Sequence, residues 1–211
     1  MTQEHVVSAH LGLRERKKRE TRVALSQATI GLCVQRGWDN VTVEDIASAA
    51  NVSVRTFRNY FSSKAEAIAA SHLERMLRIA DSLRAQPAAE PLWESIARVV
   101  QAEFVPQGEA SVNAPRDQRW IDGLRLMLAE PALQGEVVKA NAAAQEELAR
   151  AIAERTGTDV TRDAYPKLVA AVVGAGSAVA VEHCMRPDPP APLAVTLREV
   201  FEQIAVGLPT P

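Results

Sequence analysis

Residues 42–61 carry the feature that most restricts the fold of this chain, which is a pair of short helical segments joined by a tight turn. Thr42 precedes the segment "VEDIASAA", and Asp45 three residues later completes a predicted capping box. Ser53 is the predicted N-cap of the next segment, which runs to about Phe61. Two helices separated only by "ANV" predict a helix-turn-helix.

The second of these helices has two different faces. Its apolar residues fall within about 60° of one another at 3.6 residues per turn: Val54, Phe57 and Phe61. Its hydrogen-bond donors fall within about 100° on the other side, with Thr56 beside them: Arg55, Arg58 and Asn59. Arginines on a helix surface are more often simply solvated. The capped preceding helix and a basic segment upstream favour contact with the major groove of double-stranded DNA instead.

An arginine can donate two hydrogen bonds to guanine, and threonine or asparagine can bond to bases or phosphates. The predicted DNA contacts lie on this helix and its flanks: Thr42, Ser53, Val54, Arg55, Thr56, Arg58, Asn59, Tyr60 and Lys64. The segment "RERKKRETR" adds three basic residues that we expect to reach phosphates or the minor groove: Arg16, Lys17 and Lys18. Residues 1–75 hold 11 basic and 8 acidic side chains, whereas residues 76–211 hold 13 and 18. Only the N-terminal part therefore suits a polyanion.

The stretch "VTVEDIASAANVSVRTFRNYFSSKAEAI" resembles the DNA-binding domain of TetR/AcrR-family transcriptional regulators. It matches the family pattern at twelve positions: Thr42, Ile46, Ala47, Ala50, Val52, Ser53, Thr56, Phe57, Tyr60, Phe61, Lys64 and Ile68. Two departures are that Arg58 replaces a tyrosine that commonly contacts DNA, and that a frequent glycine is absent at Val54 or Arg55. The resemblance implies a dimeric, ligand-responsive regulator, more often a repressor, that binds a near-palindromic operator.

No stretch shows the alternation typical of strands, so the sequence predicts an all-α fold of about nine helices. We expect residues 1–13 to be a disordered tail and residues 14–68 to form the three-helix DNA-binding domain. The resemblance implies that residues 69–211 form a larger helical domain for effector binding and dimerisation.

A helix near residues 165–185 is apolar nearly all round, which predicts that it is buried. With the last helix it could form a four-helix dimer interface through six residues: Ala170, Gly174, Ala178, Val181, Leu197 and Phe201. A core helix within one chain is the other interpretation. Two-fold DNA binding favours the dimer, because it requires two recognition helices.

Six large apolar residues lie on segments that line the ligand cavity in the family: Trp93, Phe104, Trp120, Leu124, Met127 and Leu128. Each would more often be an ordinary core residue. Together with the resemblance of "RWIDGLRLMLAEPAL" to regulators of acyl-CoA-like ligands, they predict a small hydrophobic effector. A C-terminal domain that binds protein partners is the alternative.

The sequence predicts neither an enzyme nor a metal or cofactor site. The four histidines are scattered, and "GAG" at 174–176 lacks the spacing of a dinucleotide-binding fingerprint. The N-terminus has no long apolar core, and the apolar run Leu168–Val181 is shorter than the ~20 residues that cross a membrane. Cys33 and Cys184 are expected to be reduced and buried in a cytoplasmic protein.

Overall fold

A computed structural model describes residues 3–104, 118–185 and 192–208, with side chains from residue 16 to 104 and from 122 onward within those ranges. Nine helices and no strand occur there: α1 (Gln3–Arg36), α2 (Val43–Ala49), α3 (Val54–Tyr60), α4 (Lys64–Arg84), α5 (Leu92–Phe104), α6 (Gln118–Ala129), α7 (Pro131–Thr156), α8 (Ala164–Cys184) and α9 (Leu193–Ala205). The predicted all-α fold is confirmed. The stretch "VPQGEASVNAP" at 105–115, which predicts a loop, lies outside the described residues.

The N-terminus differs from the predicted disordered tail at 1–13, because α1 begins at Gln3 and continues to Arg36. Residues 1–13 lack a clear apolar periodicity, from which the sequence predicts disorder, but this shows only that no single face is apolar. It does not decide whether the backbone is helical. No proline interrupts residues 3–36, and extending an existing helix costs far less than starting one.

The chain divides into two compact units. Unit 1 comprises Met1–His72 and Asp117–Val137, and unit 2 comprises Leu73–Arg116 and Val138–Pro211. Two of the three boundaries fall within α4 and α7, and the third falls between α5 and α6. This division differs from the predicted domains, since α6 belongs to unit 1 and not to the C-terminal domain.

Contacts between α1 and α6 explain this assignment. A Cβ added at Gly123 would lie 3.4 Å from Cγ2 of Ile30, so the two helices are in close contact. Leu126 and Met127 of α6 pack against the core of unit 1. The largest fully buried side chains of that core come from five helices and from the C-cap residue of α3, Phe61: Leu25, Ile46, Phe57, Phe61, Ile68 and Leu133.

Unit 2 has its own core, in which α9 packs against both α8 and α5. Its largest fully buried side chains are Leu83, Ile96, Val100, Ile152, Leu197 and Phe201. A Cβ at Gly176 would lie 2.8 Å from Cδ1 of Ile204 and 3.2 Å from Cγ1 of Val200. A glycine at position 176 therefore permits the close approach of α8 and α9.

Helix α8 is longer than the apolar run noted in the sequence. Its 21 residues are enough by length and composition to cross a membrane, and an 18-residue window within it has a mean hydropathy of 1.5. One side of it packs instead against α9, as expected of a core helix. Both cysteines are buried and neither forms a disulfide, as the sequence predicts.

Candidate nucleic-acid interface

The first helix of the predicted helix-turn-helix begins with a complete capping box. The backbone N–H of Asp45 donates to Oγ1 of Thr42 at 3.1 Å, and the backbone N–H of Thr42 donates to Oδ2 of Asp45 at 2.9 Å. The Thr42 hydroxyl also donates to that carboxylate at 2.6 Å, and these bonds lower the pKa of Asp45. The hydroxyl and amide of Thr42, expected to contact DNA, are thus both occupied in starting α2.

The turn between α2 and α3 is formed by Asn51, whose φ of 53° is in the left-handed region. Val52 N–H donates to the Ala47 carbonyl at 2.9 Å, and Asn51 N–H donates to the Ser48 carbonyl at 3.0 Å. This pair of bonds is a Schellman motif, which satisfies the last carbonyls of α2. Asparagine adopts this conformation at a lower cost than most residues.

Ser53 caps α3, since its Oγ accepts from the Thr56 N–H at 3.0 Å. Phe57 is fully buried beneath the helix, and its ring centroid lies 5.8 Å from that of Phe61. Val54, Thr56 and Tyr60 are half-buried at the margins. The apolar side of α3 therefore packs as its periodicity predicts.

The opposite side of α3 is exposed. We name Arg55, Arg58 and Asn59 the α3 face. Within the part of the chain that the structure describes, none of the three forms a hydrogen bond or an ion pair. Two cations and one amide therefore present all their donors to solvent or to a ligand.

The basic segment of α1 is also exposed at Arg16, Lys17 and Lys18. Arg16 pairs with Glu20 one helical turn away at 3.5 Å. Both partners are more than half exposed, so this pair contributes little and does not prevent contact with a phosphate.

Lys64 is placed differently from the expected phosphate contact. Its Nζ donates to the Trp38 carbonyl and, at 2.9 Å, to the Val41 carbonyl. The same nitrogen lies 4.2 Å from the centroid of the Trp38 ring. The ammonium group is thus directed into unit 1, and the family pattern alone gave no sign of this orientation.

The six residues predicted to bind an effector are divided between the two units. Unit 2 contains Trp93, which is half-buried, and Phe104, which is buried beside Arg75. The other four lie on α6 in unit 1: Leu124, which is buried; Met127, which packs on the unit 1 core; Leu128, which is 55% exposed; and Trp120, whose side chain is outside the described residues.

The predicted dimer residues fall on two sides of α8 and α9. Those buried inside unit 2 are Ala170, Val181, Leu197 and Phe201. Gly174 faces α7, since a Cβ there would lie 2.9 Å from Nε2 of Gln145. Ala178 is exposed. The inner side of α8 therefore fits the second interpretation given above, that of a core helix within one chain.

The outer side of α8 is exposed and mostly apolar, with Glu182 and His183 on the same side near its C-terminal end. The exposed apolar residues lie within about 140° of the helix, and we name six of them the α8 face: Tyr165, Leu168, Ala171, Ala175, Ala178 and Val179. Leu168 is 61% exposed and Val179 is 57% exposed. The sequence did not distinguish this side, because α8 is apolar all round.

A helix-turn-helix with exposed cations on its second helix, in a chain with a separate helical unit, defines a DNA-binding regulator. Comparison with known proteins identifies its family. The model for bacterial regulatory proteins of the tetR family matches residues 25–70, and that for the MftR C-terminal domain matches residues 90–209. The chain belongs to the TetR family of transcriptional regulators.

Two relatives cover most of the chain, and both are named as transcriptional regulators and not as enzymes. The HTH-type transcriptional regulator TcmR of Streptomyces glaucescens is 30% identical over 178 residues, or 84% of this chain and 79% of TcmR. MftR of Mycobacterium tuberculosis, named for mycofactocin biosynthesis, is 27% identical over 197 residues, or 92% of this chain and 93% of MftR.

Solved structures share the fold at low sequence identity. FadR of Bacillus halodurans, a fatty acid degradation regulator, is 17% identical with a TM-score of 0.56 and covers 90% of this chain and 97% of its own. SmeT, the repressor of a Stenotrophomonas maltophilia multidrug efflux pump, is 18% identical with a TM-score of 0.57 and covers 90% and 93%. The all-α fold is thus that of known regulators.

Proposed function

We propose that the protein is a ligand-responsive repressor that binds a near-palindromic operator as a homodimer and is released by a small hydrophobic effector. The α3 face is the observation that carries this proposal. Its two arginines have free donors, and they lie above buried Phe57, which holds the helix in place. Such a repressor would act on DNA in the cytoplasm.

In this proposal α3 enters the major groove. Arg55, in the first turn, donates two hydrogen bonds to a guanine, and Arg58 and Asn59 contact neighbouring bases. Phosphates are contacted from the exposed segment Arg16, Lys17 and Lys18. Each of these side chains is exposed, so none must leave a partner in the core before it binds.

The operator can be found by selecting duplexes from a random pool with the wild-type chain. We expect an inverted repeat whose half-sites are about 10 base pairs apart, or a multiple of that distance, and two chains per duplex. An Arg55→Ala variant should enrich the same repeat with one position relaxed. A selected site without a repeat, bound by one chain, would contradict the dimeric mode.

The α8 face supports the dimer. A contiguous apolar surface on a protein usually marks an interaction site, and a two-fold assembly requires the same surface from each copy. Small residues at Ala171, Ala175 and Ala178 would allow two α8 helices to approach closely, with Leu168 and Val179 packing beside them.

Phe104 and Arg75 support an effector site in unit 2. Cζ of Arg75 lies 5.8 Å from the Phe104 ring centroid, and burial lowers the pKa of Arg75. Among the described residues it forms no hydrogen bond or ion pair, since nearby Glu103 accepts from Arg78 at 2.9 Å instead. A cation beside an aromatic ring suits a ligand with an apolar body and an anionic end, as in an acyl-CoA-like molecule.

The effector can be tested by displacement of the protein from the selected operator. Fatty acyl-CoA esters, fatty acids and neutral hydrophobic metabolites would be compared on wild type and Arg75→Gln. We expect Arg75→Gln to weaken displacement by anionic ligands about tenfold while ligand-free operator binding is unchanged. If no compound displaces the protein, the alternative gains support, in which unit 2 binds a protein partner.

A further inference from the structure

We infer that Lys64 is a positioning residue for DNA binding, which holds the helix-turn-helix in place and does not itself contact a phosphate. The inference rests on the DNA-binding function of unit 1. It adds a residue that acts through the loop between α1 and α2, and it reverses the role that the sequence predicts for this lysine.

The hydrogen bonds of Lys64 carry the inference. An ammonium group has three N–H donors and no acceptor. Two of these donors are occupied by the carbonyls of Trp38 and Val41, and the face of the Trp38 ring lies 4.2 Å from Nζ. The side chain is half-buried. Only one N–H is left for a phosphate, on the half-buried side chain of a group that already contacts a ring, and withdrawing the ammonium group toward DNA would cost charge-assisted hydrogen bonds and the cation–π contact.

The two hydrogen bonds of Lys64 connect the residues just before the helix-turn-helix with the residue just after it. Trp38 and Val41 precede Thr42, the N-cap of α2, whereas Lys64 begins α4 just after α3. The bonds therefore join residues 26 and 23 positions apart, and everything between them is the helix-turn-helix. One ammonium group fixes where the motif begins relative to where it ends.

Lys64 bonds the loop between α1 and α2 from α4, in addition to local bonds such as the one from Asn40 Nδ2 to the Arg36 carbonyl at 2.8 Å. Val41 is 2% exposed and belongs to the core, but the Trp38 carbonyl has only a weak alternative partner, the Val41 N–H at 3.5 Å. The Lys64 charge also acts on Cys33, because it opposes the rise in the pKa of that thiol caused by burial. The charge of Lys64 thus acts inside unit 1.

The experiment compares Lys64→Met with wild type on two duplexes, the selected operator and a scrambled duplex of equal composition. Methionine keeps a long apolar side chain but removes the charge. We expect operator affinity to fall at least about tenfold and scrambled-duplex affinity to change less than about threefold, because base contacts depend on the placement of α3. The slope of log affinity against log salt should stay within about 0.3 of wild type, since no phosphate contact is lost.

A phosphate contact would give a different result. The salt slope would then fall by about one per contact, and both duplexes would lose affinity alike. That outcome would overturn the inference. So would an unchanged operator affinity per folded molecule accompanied only by a lower melting temperature, which would show that Lys64 merely stabilises unit 1.

Two further variants keep the test decisive. Trp38→Leu leaves both backbone carbonyls and Lys64 in place but removes the ring, so operator specificity should fall by a smaller factor at an unchanged salt slope. Lys139→Met removes an exposed lysine on the unit 2 part of α7 and should change neither quantity. The Cys33 thiol gives a second readout of the contact. Removing the Lys64 charge in Lys64→Met should raise the pKa of Cys33 and slow alkylation of this thiol.

Two failures can be distinguished. If the wild-type chain selects no duplex at all, the proposed function fails. If Lys64→Met lowers the slope of log affinity against log salt by about one, only the positioning role fails.

Discussion

Helix α3 exposes Arg55, Arg58 and Asn59, whereas helix α8 exposes Leu168, Val179 and a row of alanines between them. Water satisfies the donors of the α3 face, so its exposure has little energetic cost and indicates function only through the helix-turn-helix around it. Water does not favour the α8 face, whose exposure is itself unfavourable. An exposed polar face therefore indicates a binding function only when it lies in a recognised motif. An exposed apolar face indicates a binding partner without such a motif.

The largest effect is expected from a change that makes the α8 face as polar as the α3 face. Leu168→Glu together with Val179→Glu should weaken self-association about 100-fold or more, because like charges would meet in an apolar interface. Sedimentation over a range of concentrations measures this effect. The helical content measured by circular dichroism should be unchanged, since both side chains are exposed within the single chain.

The matched control is Arg55→Glu, which places the same new charge on the α3 face. It should abolish operator binding and leave association intact. A wild-type protein that stays monomeric at tens of micromolar would show that the α8 face does not form the dimer.

A second prediction separates the inner side of α8 from its outer side. Gly176→Leu should destabilise the protein by about 1–3 kcal/mol or more, because Ile204 and Val200 already occupy the space of a Cβ. Gly174→Ala meets only the end of the exposed Gln145 side chain and gains helix propensity, so it should be neutral or stabilising by up to ~1 kcal/mol. Urea unfolding of both variants would test this contrast, and equal losses would contradict it.

A third prediction concerns the α3 face itself. Arg55→Ala should cost about 1–3 kcal/mol of operator binding and relax one base position per half-site. Arg58→Ala should relax a different position. Titrations over single-base operator variants measure both effects, with thermal stability as the control, since neither arginine has a partner among the described residues. If neither variant changes affinity or base preference, the α3 face is only solvated surface.

A smaller effect is expected at the turn before α3. Asn51→Ala should destabilise the protein by about 1 kcal/mol, because alanine is strained at a φ of 53°. Asn51→Gly should lie within a few tenths of a kcal/mol of wild type. A chemical unfolding series would reveal the difference, and a harmless alanine would show that the left-handed turn is not required.

The smallest effect is the pH dependence of the α2 cap. The hydrogen bonds from Thr42 lower the pKa of Asp45 in the folded state. The contribution of Asp45 to stability is therefore complete above its unfolded pKa, near 4, and is lost as the pH falls through the lower folded value. The stability difference between wild type and Asp45→Asn should shrink between pH 7 and pH 3. In a Thr42→Val background this pH dependence should be weaker.

Local chemistry explains which parts were predictable from the sequence. The capping box of Thr42 and Asp45, the cap at Ser53 and the buried position of Phe57 each depend on residues within one or two helical turns. Their spacing is therefore visible in the sequence. For the same reason the number of helices and the helix-turn-helix were predicted well.

Features that depend on distant residues were not predictable in this way. Lys64 turns inward because of carbonyls more than twenty positions earlier, and α6 joins unit 1 through its contact with Ile30. Because α8 is apolar nearly all round, its sequence does not indicate which side faces the core. The sequence therefore suggested Gly174 as the close contact, although Gly176 is the glycine that meets α9.

The contact at Gly176 has a consequence for how this protein can diverge in evolution. Because a Cβ at position 176 would lie 2.8 Å from Cδ1 of Ile204, the two positions share one small volume. A descendant that acquires alanine or serine at 176 should also carry a shorter side chain at 204 or 200. In an alignment of close homologues these sites should covary in size, and that pattern would record the packing of α8 on α9 without any further structure.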